Sequence, residues 1–487
     1  MDNFVKRSVF VVVLLCFLSV AGFGVSATDY RNEALNDRNL SAAKGELYAW
    51  LTTYYISTFV KGYRAYNDTS WLDEGVKYYD MALSKREPTH DKYLGWIGSY
   101  GGDEGGLIGE AFISDAQVFN FILIFCEEVM NNPALKQKYG KKAEEYIAEA
   151  KKQLLEKWDK RGCYYEDGDF AAYVVQTTWF DPKKKEWYER PKTRGSENLN
   201  KHGTMASCFL KLYRLTKEPV FLERAEKIFG RYKSIMRYYE KENRYVWNFW
   251  EPFGPFDMAG KPKNWVDVHP SRPGYQEEEC GYFVEAYQAG VVFNEEDMKR
   301  LINANLWMWN KDEKKQAFKS SDGTTPAGAL WLSLADFNPA IRSLAENALK
   351  NGKSIQDIVE YDYFKKVTCK EPASFKRRNL TGEVKLPDIP IYPSKDISMA
   401  VVIPAHLSSG GSEETKICCK VKALGKINVE LYSRDGKKLI KKLFEIEPKR
   451  ANEFYTERLT AKGIEKGSYR VRWTQNAGIM ERTLTIE

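Results

Sequence analysis

The sequence contains few of the residues on which several common kinds of catalytic and metal site depend. There are four histidines in 487 residues, and the eight cysteines form no Cys-x-x-Cys pair, which argues against the usual zinc clusters. Neither a Gly-x-Ser-x-Gly elbow nor a Walker phosphate loop occurs, so serine-triad hydrolysis and phosphate-loop chemistry are disfavoured. The net charge is +7 without a lysine and arginine run of the kind that nucleic-acid-binding arms show, and nucleic acid is not an expected partner. We expect no metal and no cofactor.

Long apolar runs are also missing, except at the N-terminus. There Lys6 and Arg7 precede the run SVFVVVLLCFLSVAGF, and the small residues at 25–27 are typical of a cleavage site. The run is short for a membrane span, and no later segment is long enough to be one. We therefore predict a signal peptide at 1–27, cleaved after Ala27, and a secreted or periplasmic protein without a membrane span.

Apolar residues recur at helical spacing from about residue 30 to residue 355, which predicts a mainly α-helical region. The predicted helices form pairs joined by short turns. In one pair Lys217 and Glu218 separate the helices, and Pro219 begins the second. Further pairs are predicted between EECGYFVEAYQAGVVF and EEDMKRLINANLWMW, and between GALWLSLADF and PAIRSLAENALK. Paired helices without a strict repeat motif favour an α/α toroid, an incomplete barrel of helical hairpins, over a regular solenoid.

After about residue 385 the pattern changes to an alternation of apolar and polar residues with many β-branched side chains, as in KICCKVKAL and INVELYSRDGKKLIKKLFEI. This alternation predicts a small β-sandwich similar to fibronectin-type or immunoglobulin-like modules. The predicted organisation is therefore a signal peptide at 1–27, a catalytic α/α toroid at 28–385 and a C-terminal β-sandwich at 386–487.

Several linkers between the predicted helix pairs are long and rich in glycine, tryptophan and tyrosine. Loops of this length in a compact domain are usually functional or disordered, and their aromatic content favours function. In a toroid such loops would meet on one rim and surround a single cleft. Aromatic rings there would stack on sugar rings, and the candidates are Trp96, Tyr100, Trp179, Trp250 and Trp265.

Two of these linkers end in polar residues just before a predicted helix. In SENLNKHGTMAS, Asn200 and His202 lie close together. In NWVDVHPSRPGYQEEECGYF, two prolines stiffen the interval that holds His269, Arg272 and Tyr275. Taken one at a time, such residues are ordinary cap and turn residues, and the arginine could pair with a following glutamate. Taken together, they are the groups that β-elimination from a uronic acid polymer requires.

That reaction removes the proton at C5 of the uronate and expels the oxygen at C4. The carboxylate beside C5 must be neutralised, because the intermediate places negative charge on it, and Arg, Asn or His donors supply that stabilisation. A His or a Tyr takes the proton, and a Tyr returns one to the leaving oxygen.

The leader, the long α/α toroid, the C-terminal β-domain and these polar groups resemble the toroid-fold polysaccharide lyases, such as the alginate, glucuronan and heparinoid lyases. At motif level the resemblance rests on Asn200, His202, Arg272 and Tyr275. A lysine interrupts the Asn-Asn-His-Ser-Tyr type of motif of those families. The resemblance implies catalytic roles for His202 and Tyr275. It implies that Asn200, Arg272 and His269 bind the substrate carboxylate, in an exported lyase that acts on an anionic polysaccharide.

Two other functions stay open at this point. A glycoside hydrolase on the same toroid, like the unsaturated-glucuronyl hydrolases, needs two carboxylates across its cleft, and the candidates are Asp115, Asp169 and Glu251. Asp115 stands out because it lies in an otherwise apolar helix, although a capping or solvent-facing carboxylate is the commoner explanation. A non-catalytic glycan-binding protein would need neither a carboxylate pair nor donors that neutralise a carboxylate.

Overall fold

The structure is a computed structural model. The residues it describes are 25–98, 106–189, 195–258, 273–309, 319, 328–368, 397–409, 413–451, 453–476 and 478–487. Most of the predicted signal peptide and the predicted domain boundary at 385 lie outside the described residues. So do four of the predicted site residues, which are Tyr100, Trp265, His269 and Arg272.

Helices dominate the described chain up to residue 368. Their bounds are α1 (Ala27–Asn36), α2 (Arg38–Ala42), α3 (Gly45–Tyr66), α4 (Ser70–Ser84), α5 (Phe112–Asn131), α6 (Pro133–Lys151), α7 (Lys157–Lys160), α8 (Leu199–Thr216), α9 (Pro219–Ile235), α10 (Pro273–Ala289), α11 (Glu295–Met308), α12 (Pro339–Leu349) and α13 (Ile355–Tyr363). A π-helical turn at Lys152–Glu156 joins α6 to α7. Within the described ranges, none of the helices combines the length and the apolar character that crossing a membrane requires.

Local sequence explains where the paired helices turn. The side chains of Asn132 and Asn338 cap the starts of α6 and α12, and each is followed by a proline in the first turn. At the end of α8, Lys217 adopts a left-handed conformation with φ of 63°, and Pro219 begins α9 two residues later. These signals produce the short turns that make each pair antiparallel.

The pairs are arranged in a ring. α3 packs on α5, α5 on α8, and α8 on α10. The ring continues from α10 through a 3-10 turn at Leu332–Leu334, α12 and α13, and α13 packs on α3. The partners α4, α6 and α9 pack outside α3, α5 and α8. The protein is therefore mainly α, with the α/α toroid that the helical periodicity predicted.

The prediction of a helix over GALWLSLADF is wrong. This segment holds only the 3-10 turn at Leu332–Leu334. Asn305 of α11 binds its backbone on both sides, because its amide donates to Ala329 O at 3.0 Å and its oxygen accepts from Trp331 N at 3.1 Å. These contacts hold the segment extended, so the backbone groups of a first helical turn are already engaged.

The C-terminal region is a β-sandwich, as the alternating pattern predicted. A five-stranded sheet has the order β10 (His406–Leu407), β16 (Gly478–Ile486), β15 (Gly467–Gln475), β12 (Ile427–Ser433) and β13 (Leu439–Ile446). A three-stranded sheet has the order β14 (Phe454–Thr460), β11 (Glu414–Val421) and β9 (Ile397–Ile403). Inward residues of both sheets, such as Ile417 and Val429, form one apolar core.

Candidate functional site

Long connections precede the inner helices of the toroid and carry short hairpins. These are β1 (Glu87–Pro88) with β2 (Leu94–Gly95), β3 (Tyr164–Asp167) with β4 (Phe170–Tyr173), β5 (Thr178–Asp181) with β6 (Glu186–Glu189), and β7 (Arg237–Tyr239) with β8 (Arg244–Val246). Neighbouring connections bond to one another, since Ile108 and Phe180 exchange backbone hydrogen bonds and Trp250 Nε1 donates to Ser196 O at 3.0 Å. We call this end of the toroid, at the N-termini of the inner helices, the rim.

The inner face of α3 is aromatic and exposed. Phe59 packs on Tyr78 of the outer helix α4, with ring centroids 5.4 Å apart. The side chains half a helical turn away from Phe59 point toward the toroid axis. Among them, Leu47 is 46% exposed and Tyr54 is 62% exposed, and Trp50 is half-buried. An inner helix with such exposed rings on its axial side borders open space rather than a packed core.

The inner face of α10 is acidic and borders the same kind of open space. Phe283 packs outward against Tyr232, which leaves the stripe Gly274, Glu278, Gly281 and Glu285 on the opposite side at helical spacing. A Cβ atom added at either glycine would meet nothing within 4 Å, and the Glu278 side chain is exposed.

The inner faces of α5 and α8 carry amides and hydroxyl groups. Thr204 Oγ1 donates to the Tyr282 hydroxyl at 3.0 Å, and Ser207 Oγ donates to Asn120 Oδ1 at 3.0 Å. Gln117 Oε1 and Asn200 Oδ1 are buried, and neither has a hydrogen-bond partner among the described residues. A buried acceptor without a partner is costly, so these amides are ready to bind a donor.

We call the space along the axis the central cup. Its lining comes from the four inner helices and includes Trp50, Tyr54, Gln117, Asn200, Glu278 and Tyr282. Sequence reasoning missed most of this set. The signal for it is a polar or glycine stripe at helical spacing inside an otherwise apolar helix, which α10 shows clearly.

An ionic cluster closes the cup toward the C-terminal ends of the inner helices. Glu285 accepts from Lys211 Nζ at 2.8 Å and from Arg214 Nη2 at 2.6 Å, and Arg214 also bonds Glu127. Burial alone would raise the pKa of Glu285, but Lys211 and Arg214 outweigh it and lower that pKa to about 2. The floor is therefore a fixed, compensated ion cluster.

Near the rim, the pKa values of the α10 carboxyl groups are raised, whereas that of Glu285 is lowered. Burial, reinforced by the neighbouring Glu277, raises the pKa of Glu278 to about 7. Burial raises the pKa of Glu279 to about 8, and this group accepts from Trp247 Nε1 at 2.7 Å and from the Tyr232 hydroxyl at 3.1 Å. Glu279 is thus enclosed, whereas Glu278 combines a desolvated environment with an exposed side chain.

His202 lies inside the first turns of α8 and not before the helix. The ring is fully buried, with Nδ1 2.8 Å from Asn198 O and Nε2 3.2 Å from Tyr173 O. Burial, with the charge of Arg231, lowers the pKa of His202 well below its ordinary value. The neutral ring carries one N–H and donates it to one of these two carbonyls, so in this structure the ring packs between α8 and β4. Its catalytic role stays a prediction.

The two predicted junctions meet through Phe249. Leu199 N, at the start of α8, donates to Phe249 O at 3.0 Å. The Phe249 ring stacks on Tyr275 of α10, with centroids 5.3 Å apart and planes 3° from parallel. Tyr275 is half-buried in the first turn of α10, so Asn200 and Tyr275 both belong to the rim end of neighbouring inner helices.

The predicted sugar-stacking tryptophans that can be described are buried. Trp96 and Trp179 pack beneath the rim, and Trp250 packs against Val401 and Ile403 of the β-sandwich. None of the three presents an open indole face to solvent in this structure. Among the residues that the structure describes, the exposed aromatic ring is that of Tyr54 in α3.

The three predicted hydrolase carboxylates lie apart. Asp115 is fully buried, accepts from Trp158 Nε1 at 3.0 Å and lies 2.6 Å from Lys157 Nζ. Glu251 is also fully buried, accepts from Asn248 and pairs with Arg482 at 3.4 Å. Asp169 is exposed in the β3–β4 turn. They do not face one another across a cleft.

Comparison with known proteins gives distant structural similarity only. No family model and no curated protein sequence matches the chain. An inactive variant of the alpha-1,6-mannanase of Salegentibacter sp. HEL1_6 is 12% identical, with 71% of this chain and 98% of that chain covered and a TM-score of 0.42.

Two further solved structures are similar at the same distance. A family 76 glycoside hydrolase (mannosidase) of Bacteroides thetaiotaomicron is 12% identical, covering 65% and 70% of the two chains with a TM-score of 0.36. A cellobiose 2-epimerase of Spirochaeta thermophila is 14% identical, covering 64% and 71% with a TM-score of 0.36. These three solved structures are carbohydrate-processing enzymes, at a distance where the similarity carries no statement about activity.

Proposed function

We propose that this protein is a carbohydrate-active enzyme, that its substrate binds in the central cup, and that it hydrolyses a glycosidic bond. Glu278, as the general acid, protonates the leaving oxygen, while water attacks the anomeric carbon and gives its proton to a second group that lies outside the set identified among the described residues. The observation that carries the proposal is the position of Glu278, an exposed carboxyl group on the inner face of α10, one helical turn from Tyr275 and from Tyr282.

The environment of Glu278 suits the role of a proton donor. A general acid must hold its proton near the working pH and release it to the leaving oxygen in the transition state. Burial and the neighbouring Glu277 raise the pKa of Glu278 to about 7, so the carboxyl group carries a proton over much of the neutral range. Its exposure lets it reach a bound glycosidic oxygen.

The lining of the cup suits a sugar ligand. Binding sites for small molecules combine apolar and aromatic walls with a few placed polar groups. Trp50 and Tyr54 supply ring faces, and the unpartnered oxygens of Gln117 and Asn200 would become acceptors for sugar hydroxyls if their side chains turn toward the cup. Closure of the floor by the Glu285 cluster leaves the rim as the route of entry.

A polysaccharide lyase is the second candidate. The observation that favours it is Tyr275, whose half-buried phenol lies at the rim on the stacked Phe249 ring, where it could deliver a proton. The enclosure of His202 between two backbone carbonyls weighs against this reading.

A glycan screen tests the proposal and separates the candidates. The protein is incubated separately with neutral glycans and with uronate-containing glycans. The neutral set is mannans, glucans and xylans, and the uronate set is alginate, glucuronan and heparinoids. We expect new reducing ends without new ultraviolet absorbance. Products that absorb ultraviolet light would contain a conjugated unsaturated uronate, and they would indicate β-elimination instead of hydrolysis. Saturable binding without any product from any glycan would leave only a glycan-binding protein.

A further inference from the structure

A second cavity lies on the outer side of the rim, built by the first two connections. Its volume is about 300 Å³, the lower end of the range for small-molecule sites. We call it the outer rim pocket, and its lining residues are His90, Asp91, Lys160, Arg161, Gln176, Thr177, Thr178 and Glu189. None of them lines the central cup, and none is aliphatic.

The wall of this pocket is held rigidly by Arg161. Its Nε and Nη2 donate to the two oxygens of Asp91 at 2.9 and 3.0 Å, and its Nη1 donates to Glu110 at 2.8 Å. Burial would raise the pKa of Asp91, but hydrogen bonds from Arg161 and Thr89 hold it well below its ordinary value. The guanidinium is therefore already neutralised and does not require an anionic ligand.

Gln176 contributes a buried amide to the wall of the pocket. The residue is 4% exposed, its Oε1 lies 3.4 Å from Arg161 Nη1, and its Nε2 has no hydrogen-bond partner among the described residues. A buried amide nitrogen without an acceptor is unfavourable. An acceptor on a bound ligand would satisfy it.

The remaining lining suits a neutral ligand with many hydroxyl groups. The Thr177 and Thr178 hydroxyls both donate to Glu189, so donors and acceptors alternate along this side. An anion would face Asp91 and Glu189, and a cation would face the basic side chains. The ring of His90 in the lining packs 5.1 Å from the half-buried Trp187, so an aromatic residue stands beside the pocket wall.

We propose that the outer rim pocket binds one neutral sugar unit, at a site separate from the central cup. The pocket supplies fixed hydrogen-bonding groups of both kinds and an aromatic edge, which is the chemistry that a pyranose ring uses. The site does not depend on the reaction proposed for Glu278, so it can exist whether or not that reaction occurs.

The test measures binding of methyl α-mannoside, methyl β-glucoside and methyl β-galactoside to the full chain by calorimetry. At least one glycoside should bind saturably. Gln176→Leu, which removes the donor at similar volume, and Trp187→Ala should each weaken that binding about tenfold or more. Tyr188→Ala is the matched control, because successive residues of β6 face opposite sides, and it should leave the affinity unchanged.

Several outcomes would overturn the proposal. One is that no glycoside binds, and another is that wild type and both pocket variants bind with equal affinity. A third is that Glu278→Gln loses the binding, which would assign the sugar to the central cup. Binding of inorganic phosphate that competes with the glycoside would also contradict a neutral ligand. If Gln176→Leu does not fold, Trp187→Ala on the surface hairpin carries the test. Failure here leaves the glycan screen for hydrolysis unaffected.

Discussion

Glu278 and Glu285 lie two turns apart on one face of α10, yet their proton affinities are displaced in opposite directions. Both are desolvated, which raises a carboxyl pKa. Glu278 has the acidic Glu277 beside it, and its pKa rises to about 7. Glu285 has Lys211 and Arg214 within hydrogen-bond distance, and its pKa falls to about 2. The placement of two cations thus separates a proton carrier from a structural anion.

His202 should make stability depend on pH. Its pKa is lowered in the folded protein by burial, so below the unfolded pKa of about 6.5 the unfolded chain binds a proton that the folded chain refuses. The contribution of the neutral ring is present above that pH and is lost as the pH falls. Urea denaturation measures the unfolding free energy of wild type and of His202→Gln. The excess stability of wild type over the variant should decrease from about pH 7.5 to about pH 5. A gap that stays constant would mean that the ring does not titrate as described.

At the scale of the elements, a buried charge cluster fixes α7 against the rim. Lys157 Nζ lies 2.5 Å from Glu110, 2.6 Å from Asp115 and 3.0 Å from Leu94 O. All three charged side chains are almost fully buried. One cation therefore serves two carboxylates, and the cluster ties α5, α7 and the first connection together.

Removing that cation should be strongly destabilising. Lys157→Met leaves the buried Asp115 without its cation and Glu110 with Arg161 as its remaining cation, and breaking such a buried cluster costs about 3–5 kcal/mol of unfolding free energy. Lys160→Met, on the exposed side of the same short helix, is the matched control and should cost less than about 1 kcal/mol. Urea denaturation of both variants measures the difference. Equal small losses would contradict a structural role for the buried cluster.

The helical elements could be predicted from sequence better than the connections between them. Apolar periodicity located α3, α5 and α8 closely, because packing on an outer helix enforces that spacing. The rim hairpins were missed because each strand is only two to four residues long. An alternation of apolar and polar residues cannot be recognised over so short a segment. Trp96 and Trp179 were assigned to sugar binding for the same reason, since only the fold shows that these rings pack inward.

The toroid that carries the candidate site was predicted from the sequence, whereas Glu278 was not among the predicted site residues. Loops meeting on one rim followed from the toroid, and the two polar junctions do meet through Phe249. Glu278 was considered only as a salt-bridge partner, because its raised pKa depends on which groups surround it in space. Two neighbours in sequence, Glu277 and Glu279, look identical to it until their exposure is known.

At the scale of the whole molecule, the β-sandwich is fastened to the toroid through the β3–β4 turn. Asp167 accepts from Ala405 N at 2.6 Å and lies 3.2 Å from His406 Nδ1. Gly168, with φ of +57°, makes this approach possible, since a Cβ atom there would lie 1.7 Å from the imidazole ring. The same hairpin continues to Tyr173, whose carbonyl contacts His202, so the sandwich supports one wall of the rim.

This joint should weaken as the pH rises. The hydrogen bond with Asp167 raises the pKa of His406 above its ordinary value, and Asp169 and Glu487 act in the same direction. The stabilisation is therefore complete below the unfolded pKa of about 6.5 and is lost as the pH rises through the folded value. Wild type should exceed His406→Gln in stability by more at about pH 6 than at about pH 9. If wild type exceeds His406→Gln in unfolding free energy by the same amount at both pH values, Asp167 and His406 do not form a charged pair.

The central claim is that Glu278 donates a proton to the leaving oxygen, and one comparison tests it most directly. Wild type, Glu278→Gln and the control Gln288→Ala, exposed on the same helix, are assayed on the natural glycan and on an aryl glycoside whose leaving group needs no protonation. Glu278→Gln should lower kcat/KM about 10²–10⁴-fold on the natural glycan and leave the aryl glycoside nearly unaffected. An equal loss on both substrates, or no loss on either, would contradict the account.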